Sequence, residues 1–327
     1  MRYPADSPFG RSLFPPSSVL LLGLGLVFLL QQILLPFGLL SLFGLLSGYP
    51  LLELMTAGGA LPAAALPWLK LQLFSTQLVA FGALAWVLAR AAGSARQELQ
   101  LAPPAWRGSL WLAVPLALLG IPLLSLTAIQ PDAFALPAGL EAVEAAIRDM
   151  EARAGLLQQA LLREDLAVNL LVVALTPAVM EELFFRGYLQ STCRRMWNPH
   201  VAIWLTALLF SFIHFQFFGF FYRMGLGALF GYLVYYSGSL WPAVVAHAAH
   251  NAVGVLAIYG VAHWGWPAEL EQQEAQVPLA LGAAAALALA PLLWLYIHQN
   301  LRRQGPRSLA SPSPGHALPP PSTPDQA

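Results

Sequence analysis

Two adjacent glutamates, Glu181 and Glu182, lie inside the apolar run TPAVMEELFFRGYL, and Arg186 follows four residues after the second. Ionisable side chains near mid-membrane cost roughly 2.5–3.5 kcal/mol each on insertion scales, so three of them together require pairing. Glu182 and Arg186 share a helical face at i, i+4 and satisfy one another as an ion pair. Glu181 is turned about 100° from Glu182 around the helix axis and needs partners on other helices. Later apolar runs supply them. His214 closes FSFIH, and WPAVVAHAAHN carries His247, His250 and Asn251, with His247 and Asn251 again at i, i+4. Glu181, His214, His247 and Asn251 bring a carboxylate, two imidazoles and an amide together in lipid, which marks a functional site by default. Buried Glu, His and Arg also build ion relays, so a proton-coupled transporter is the rival reading. His250, His263 and His298 read as packing residues, and His316 as solvated.

These groups have to be positioned by helices in lipid. Of the 327 residues, 58% are hydrophobic and 10% charged, against roughly 45–50% and 25% in soluble domains. Mean hydropathy is +0.63. Such a composition excludes an ordinary soluble enzyme and predicts an all-α, polytopic transmembrane helix bundle. Runs of about 20 residues, the length needed to span, fall near 18–37, 70–91, 109–128, 166–189, 201–219, 222–238, 240–260 and 278–298, which makes about eight spans. The first continues apolar past Pro36 to Leu46, as a long helix or a helix with a re-entrant piece, and 222–238 is short enough for a half-helix. Arg2 and Arg11 precede a first run too long for a signal-peptide core, so it reads as an uncleaved anchor.

Eight crossings place ten basic residues, among them Arg90, Arg96, Arg107, Arg194 and Arg195, on one side and five on the other. By the positive-inside rule both termini are cytoplasmic, in a multi-pass protein of the cell membrane. Glu181 is then about eight residues from the cytoplasmic end of its span and His247 about seven, so the groups would meet in the inner half of the bilayer. Residues 138–163 carry Leu140, Val143, Ile147, Met150, Ala154, Leu157 and Leu161 on one face, an amphipathic helix expected to pack on the rim of the bundle. Gly227 and Gly231 form a GxxxG, which permits close helix approach. The chain divides into an N-terminal membrane region (1–165), a four-span core (166–260), a last span (261–303) and a Pro/Ser-rich disordered tail (304–327). Equal numbers of acidic and basic residues point to no nucleic-acid partner, and Cys193, alone, forms no internal disulfide.

EELFFR, FSFIH and HAAHN match EExxxR, FxxxH and HxxxN in the order found in the CPBP family of intramembrane proteases, which includes type II CAAX prenyl endopeptidases and bacteriocin-processing (Abi-like) homologues. The resemblance covers about residues 166–260, with Phe210 at the first position of FxxxH. It implies peptide-bond hydrolysis, of CAAX type or on a leader peptide. Glu181 would be the general base that activates water with His214, and His247 and Asn251 would stabilise the oxyanion. Glu182 and Arg186 would set the helix face, and no cofactor would be needed. The substrate would be a peptide or membrane protein reaching the site from the bilayer or the cytoplasmic side. The alternatives are a zinc enzyme with Glu181, His214 and His247 as ligands, the transporter above, and a non-catalytic immunity scaffold.

Overall fold

The computed structural model describes residues 16–47, 63–129, 134–271 and 277–304. The expected tail beyond residue 304, and Arg2 and Arg11 before the first apolar run, lie outside the described residues. Those described are helical and include no strand. Helix α1 runs from Pro16–Leu29 through a π-helical stretch, Leu30–Leu34, into Leu35–Ser47. The first apolar run is therefore one continuous helix without a re-entrant piece. It is followed by α2 (Leu66–Ala92), the short α3 (Ala95–Glu98), α4 (Gly108–Ser125), α5 (Glu141–Leu162) and α6 (Leu166–Met196). Next come α7 (Pro199–Phe212), α8 (Phe220–Ser237), α9 (Trp241–Trp264) and α10 (Leu279–Gln304). Each of the eight apolar runs carries a helix. Among the described residues five helices, α2, α4, α6, α9 and α10, are long and apolar enough to cross a membrane, which makes this a multi-pass membrane protein.

Two expected boundaries move. The run at 222–238 is a full 18-residue helix rather than a half-helix. The run at 201–219 stops being helical at Phe212, so His214 stands beyond the end of α7 and not within a span. Local chemistry sets several ends. Asn198 accepts a hydrogen bond from the His200 amide at 2.9 Å and Pro199 follows it, an N-cap and first-turn proline that start α7. Gly238 and Gly265, at φ +65° and +70°, end α8 and α9 in the left-handed conformation that glycine adopts freely.

Lipid tails are as apolar as leucine, so close approach at small residues and interhelical hydrogen bonds hold such a bundle together. Helix α6 is its centre. One cluster joins Phe81 and Ala85 of α2 to Phe184, Phe185 and Leu189 of α6 and Phe210 of α7. A second joins Leu116 of α4 to Phe230 and Leu233 of α8, Ala246 of α9 and Tyr296 of α10. Leu183 of α6 packs against both. The GxxxG glycines face α7 and α6: a Cβ on Gly227 would stand 3.1 Å from Ala207 Cα, and one on Gly231 2.9 Å from Ile203 Cγ2. The amide of Gln190 on α6 donates to the Gly231 carbonyl at 3.1 Å.

The apolar face of α5 is covered only in part. Leu161 and Leu162 are buried, whereas Leu140, Val143 and Met150 are exposed, so the C-terminal end docks and the N-terminal half projects. The N-terminal half is held by polar contacts. The Gly139 and Leu136 amides donate to Glu141 at 2.9 Å and Glu144 at 2.8 Å, and Arg148 pairs with Glu144 at 3.0 Å.

Two predictions follow from this architecture. Gly227→Val forces α7 and α8 apart and costs about 1–3 kcal/mol of stability, read as a lower unfolding midpoint in detergent. For α5, those backbone amides hold the Glu141 and Glu144 carboxyls below their ordinary 4.5. A depressed carboxyl contributes stability that is present above 4.5 and lost as pH falls through the lower folded value. A spin label at Val143 should therefore gain mobility on acidification below that range. In a Glu141→Gln, Glu144→Gln background it should be mobile already at neutral pH.

Candidate active site

Glu181 stands midway along α6, as far from Leu166 as from Met196. Because α6 continues seven residues beyond the expected end at 189, the carboxylate is central in its helix rather than near the arginine-rich end. The α-helical turn that carries it, Thr176–Glu182, lies between two π-helical stretches, Leu170–Leu175 and Leu183–Gln190. Such stretches change how successive side chains are aimed and recur at functional sites.

Glu182 and Arg186 are fully buried and joined at 2.6 Å, Arg186 Nη1 to Glu182 Oε1. Arg186 Nη2 donates to the Gly227 carbonyl at 2.9 Å. The guanidinium also lies 4.6 Å from the ring centroid of Phe210 and 5.5 Å from that of Phe230, cation–π contacts that help offset its burial. The same two rings touch the histidines. Phe210 is 4.9 Å from the His214 ring and 5.9 Å edge-on to His247, and Phe230 stacks on His247 at 5.1 Å. The aromatic position of FxxxH is thus a wedge between the buried cation and both imidazoles.

His247 lies between the two carboxylates. Its Nδ1 is 2.9 Å from Glu182 Oε1, and its Nε2 is 3.9 Å from Glu181 Oε2. A carboxylate only accepts, so Nδ1 carries a hydrogen. Glu182 does more than the sequence implied: one oxygen takes both Arg186 and His247. The orientation of His247 is therefore set by the glutamate expected to serve the helix face alone.

Glu181 finds its other partner outside the motifs. Its Oε1 accepts from Gln77 Nε2 of α2 at 2.8 Å. Sequence reading passed over Gln77 because a neutral amide in an apolar run carries no charge signal; the only hint was a polar residue in the middle of the 70–91 run. His214 is held by its own helix end, with Nδ1 donating to the Phe210 carbonyl at 2.6 Å and Nε2 left to accept. The next residue, Phe215, has φ +51°, a left-handed conformation that costs energy for a bulky side chain and turns the chain sharply after His214. Glu151 of α5 accepts from the Phe217 and Phe218 amides of the same loop. Asn251, one turn beyond His247, donates to the Val173 carbonyl at 3.4 Å, and His250 faces the Tyr222 hydroxyl at 3.4 Å.

Glu181, His214, His247 and Asn251 all line one cavity of about 550 Å³, together with Gln77 and His250. Its walls include Leu73, Ile121, Val173, Leu226 and Ile258, and it extends past Gln158 and Leu162 of α5 to Glu269 and Glu271 beyond α9. This is the end of the bundle opposite the loops that carry Arg96, Arg107, Arg194 and Arg195. If those arginines mark the cytoplasmic face, the cavity extends toward the other side. Among the described residues no group of three or more His, Cys, Asp or Glu side chains stands in an arrangement that could hold a metal ion.

Residues 163–253, essentially α6 to the middle of α9, match the family model described as type II CAAX prenyl endopeptidase, Rce1-like. This supports placing the segment among the CPBP/CAAX proteases. No curated protein and no solved structure matches the chain.

Removing one member of a buried ion pair strands the other. Arg186→Met should cost about 3–5 kcal/mol in a detergent unfolding titration. Glu182→Met with Arg186→Met, which removes both charges, should recover part of that loss.

Proposed function

We propose that the chain, whose residues 163–253 match the type II CAAX prenyl endopeptidase family model, is an intramembrane endopeptidase in which Glu181 activates water without a metal, and that residues 166–260 form its catalytic core. The observation that carries this reading is the gap of 3.9 Å between Glu181 Oε2 and His247 Nε2, at a cavity that His214 and Asn251 also line. It is too long for a direct hydrogen bond and suits a water or a substrate oxygen between them.

Glu181 takes a proton from the water as the oxygen adds to the scissile carbonyl, and His214 Nε2 accepts the second water hydrogen to aim it. The carbonyl oxygen becomes an oxyanion. It receives one hydrogen bond from His247 Nε2–H and one from the Asn251 N–H not engaged by Val173. Collapse breaks the C–N bond, and the proton held on Glu181 passes to the leaving amine. The products are a carboxylic acid and an amine, which exchange a proton and leave as carboxylate and ammonium, with the site restored. The substrate class is the one carried by the matched family's name, a prenylated CAAX peptide, and the apolar cavity walls suit a lipid-bearing or apolar chain. A leader peptide is the second class. By the positive-inside rule, the protein lies in the cell membrane with both termini cytoplasmic.

A quenched fluorogenic peptide ending in a farnesylated Cys-aliphatic-aliphatic-X sequence tests this in the purified full chain. Glu181→Ala and His214→Ala should each lower kcat by about 10²–10⁴ with the protein still folded. His247→Ala and Asn251→Ala should each lower it by about 10²–10³. Chelator-treated enzyme shown metal-free by elemental analysis should keep its activity. Cleavage that survives Glu181→Ala rules out this mechanism, restoration by zinc alone turns the site into a metalloprotease, and ion transport without cleavage points to a carrier.

A further inference from the structure

Glu181 has a polar partner from outside the matched segment. Gln77 lies on α2 at the start of a π-helical stretch, Gln77–Ala83, and lines the same cavity as the four candidate catalytic groups. Its Nε2 donates to Glu181 Oε1 at 2.8 Å, while Glu181 Oε2 is the oxygen that faces His247 Nε2. Because an ionised carboxylate accepts and never donates, the amide is fixed with its NH₂ toward Glu181. Gln77 Oε1 is buried and makes no hydrogen bond among the described residues.

Helices α2 and α6 are pinned at this level from two directions. Gly82 admits Met180, the residue before Glu181: a Cβ at Gly82 would stand 2.3 Å from Met180 Sδ. Toward the cavity end, Lys70 of α2, itself buried, pairs with Asp165 at the start of α6 at 3.2 Å. The amide of Gln77 is therefore carried on a backbone whose distance from Glu181 is fixed by packing on both sides.

We infer that Gln77 is a positioning residue for the proposed hydrolysis: it holds Oε1 of Glu181 so that Oε2 is the oxygen presented to water. The inference rests on the protease reading above. It gives the N-terminal region a direct part in chemistry assigned to residues 166–260. An amide suits the task because it ties down one carboxylate oxygen without adding a charge that would compete with the proton Glu181 must take. A carboxylate free to rotate would divide its population between oxygens, and only the conformer aimed at the water reacts.

The test uses the purified full chain and the farnesylated quenched peptide. Gln77→Met keeps the length of the side chain and removes the donor. Gln77→His keeps an Nε2–H at a similar reach and disturbs the packing more. The expected result is a fall in kcat of about 10–100-fold for Gln77→Met, with KM within threefold of wild type, and kcat within about fivefold of wild type for Gln77→His. A side chain that only filled space would give the reverse order, which overturns the inference. Equal activity of Gln77→Met and wild type also overturns it. If Gln77→Met does not fold, Gln77→Ala, which makes no packing demand, is held to the same kcat criterion. Glu181→Gln separates the two levels. Cleavage by Glu181→Gln removes the protease reading itself, whereas an inactive Glu181→Gln beside a fully active Gln77→Met removes only the role of Gln77.

Discussion

A guanidinium fully enclosed in an apolar bundle constrains everything around it. Arg186 has no water to turn to, so its charge is met by Glu182, by the Gly227 carbonyl and by the faces of Phe210 and Phe230. These contacts draw on three helices. Glu182 belongs to α6, Gly227 and Phe230 to α8, and Phe210 to α7. The glycine is needed because a Cβ at 227 would reach the guanidinium at 3.3 Å and the α7 backbone at 3.1 Å. What the sequence presents as an ion pair within one helix is, in three dimensions, the joint of three helices.

The catalytic geometry is built outward from that joint. Glu182 uses the same oxygen for Arg186 and His247, so the orientation of the imidazole is slaved to the buried cation. Phe210 places the ring of His214 on the far side of the same guanidinium, and its carbonyl sets the His214 tautomer. Glu181 faces His247 from its other side and is held by α2. The division is chemically sensible: the group that must change protonation is kept off the cation, and the group that must donate is tied to it.

The parts of this arrangement visible in the sequence are those in which charge is rare. Glu181, Glu182 and Arg186 stand out because acids and cations in an apolar run demand an explanation, and i, i+4 spacing pairs two of them correctly. Gln77 is invisible for the complementary reason, as a neutral amide raises no such demand. The second role of Glu182 was hidden because Arg186 already accounted for it. The end of α7 was misplaced because FIHFQFFGFF remains apolar after the helix has stopped, and hydropathy does not report the left-handed turn at Phe215. The face of α5 was read correctly as a stripe, yet only its last turns are buried, because periodicity gives a direction and not the extent of its cover.

The central claim is that a water activated by Glu181, rather than the carboxylate itself or a metal-bound hydroxide, attacks the peptide. Single-turnover cleavage in H₂¹⁸O by enzyme shown to be metal-free tests it most directly. The account predicts one ¹⁸O in the new C-terminal carboxylate of the product and none in Glu181, both read by mass spectrometry. Label in Glu181, or no cleavage until a metal is restored, would contradict it.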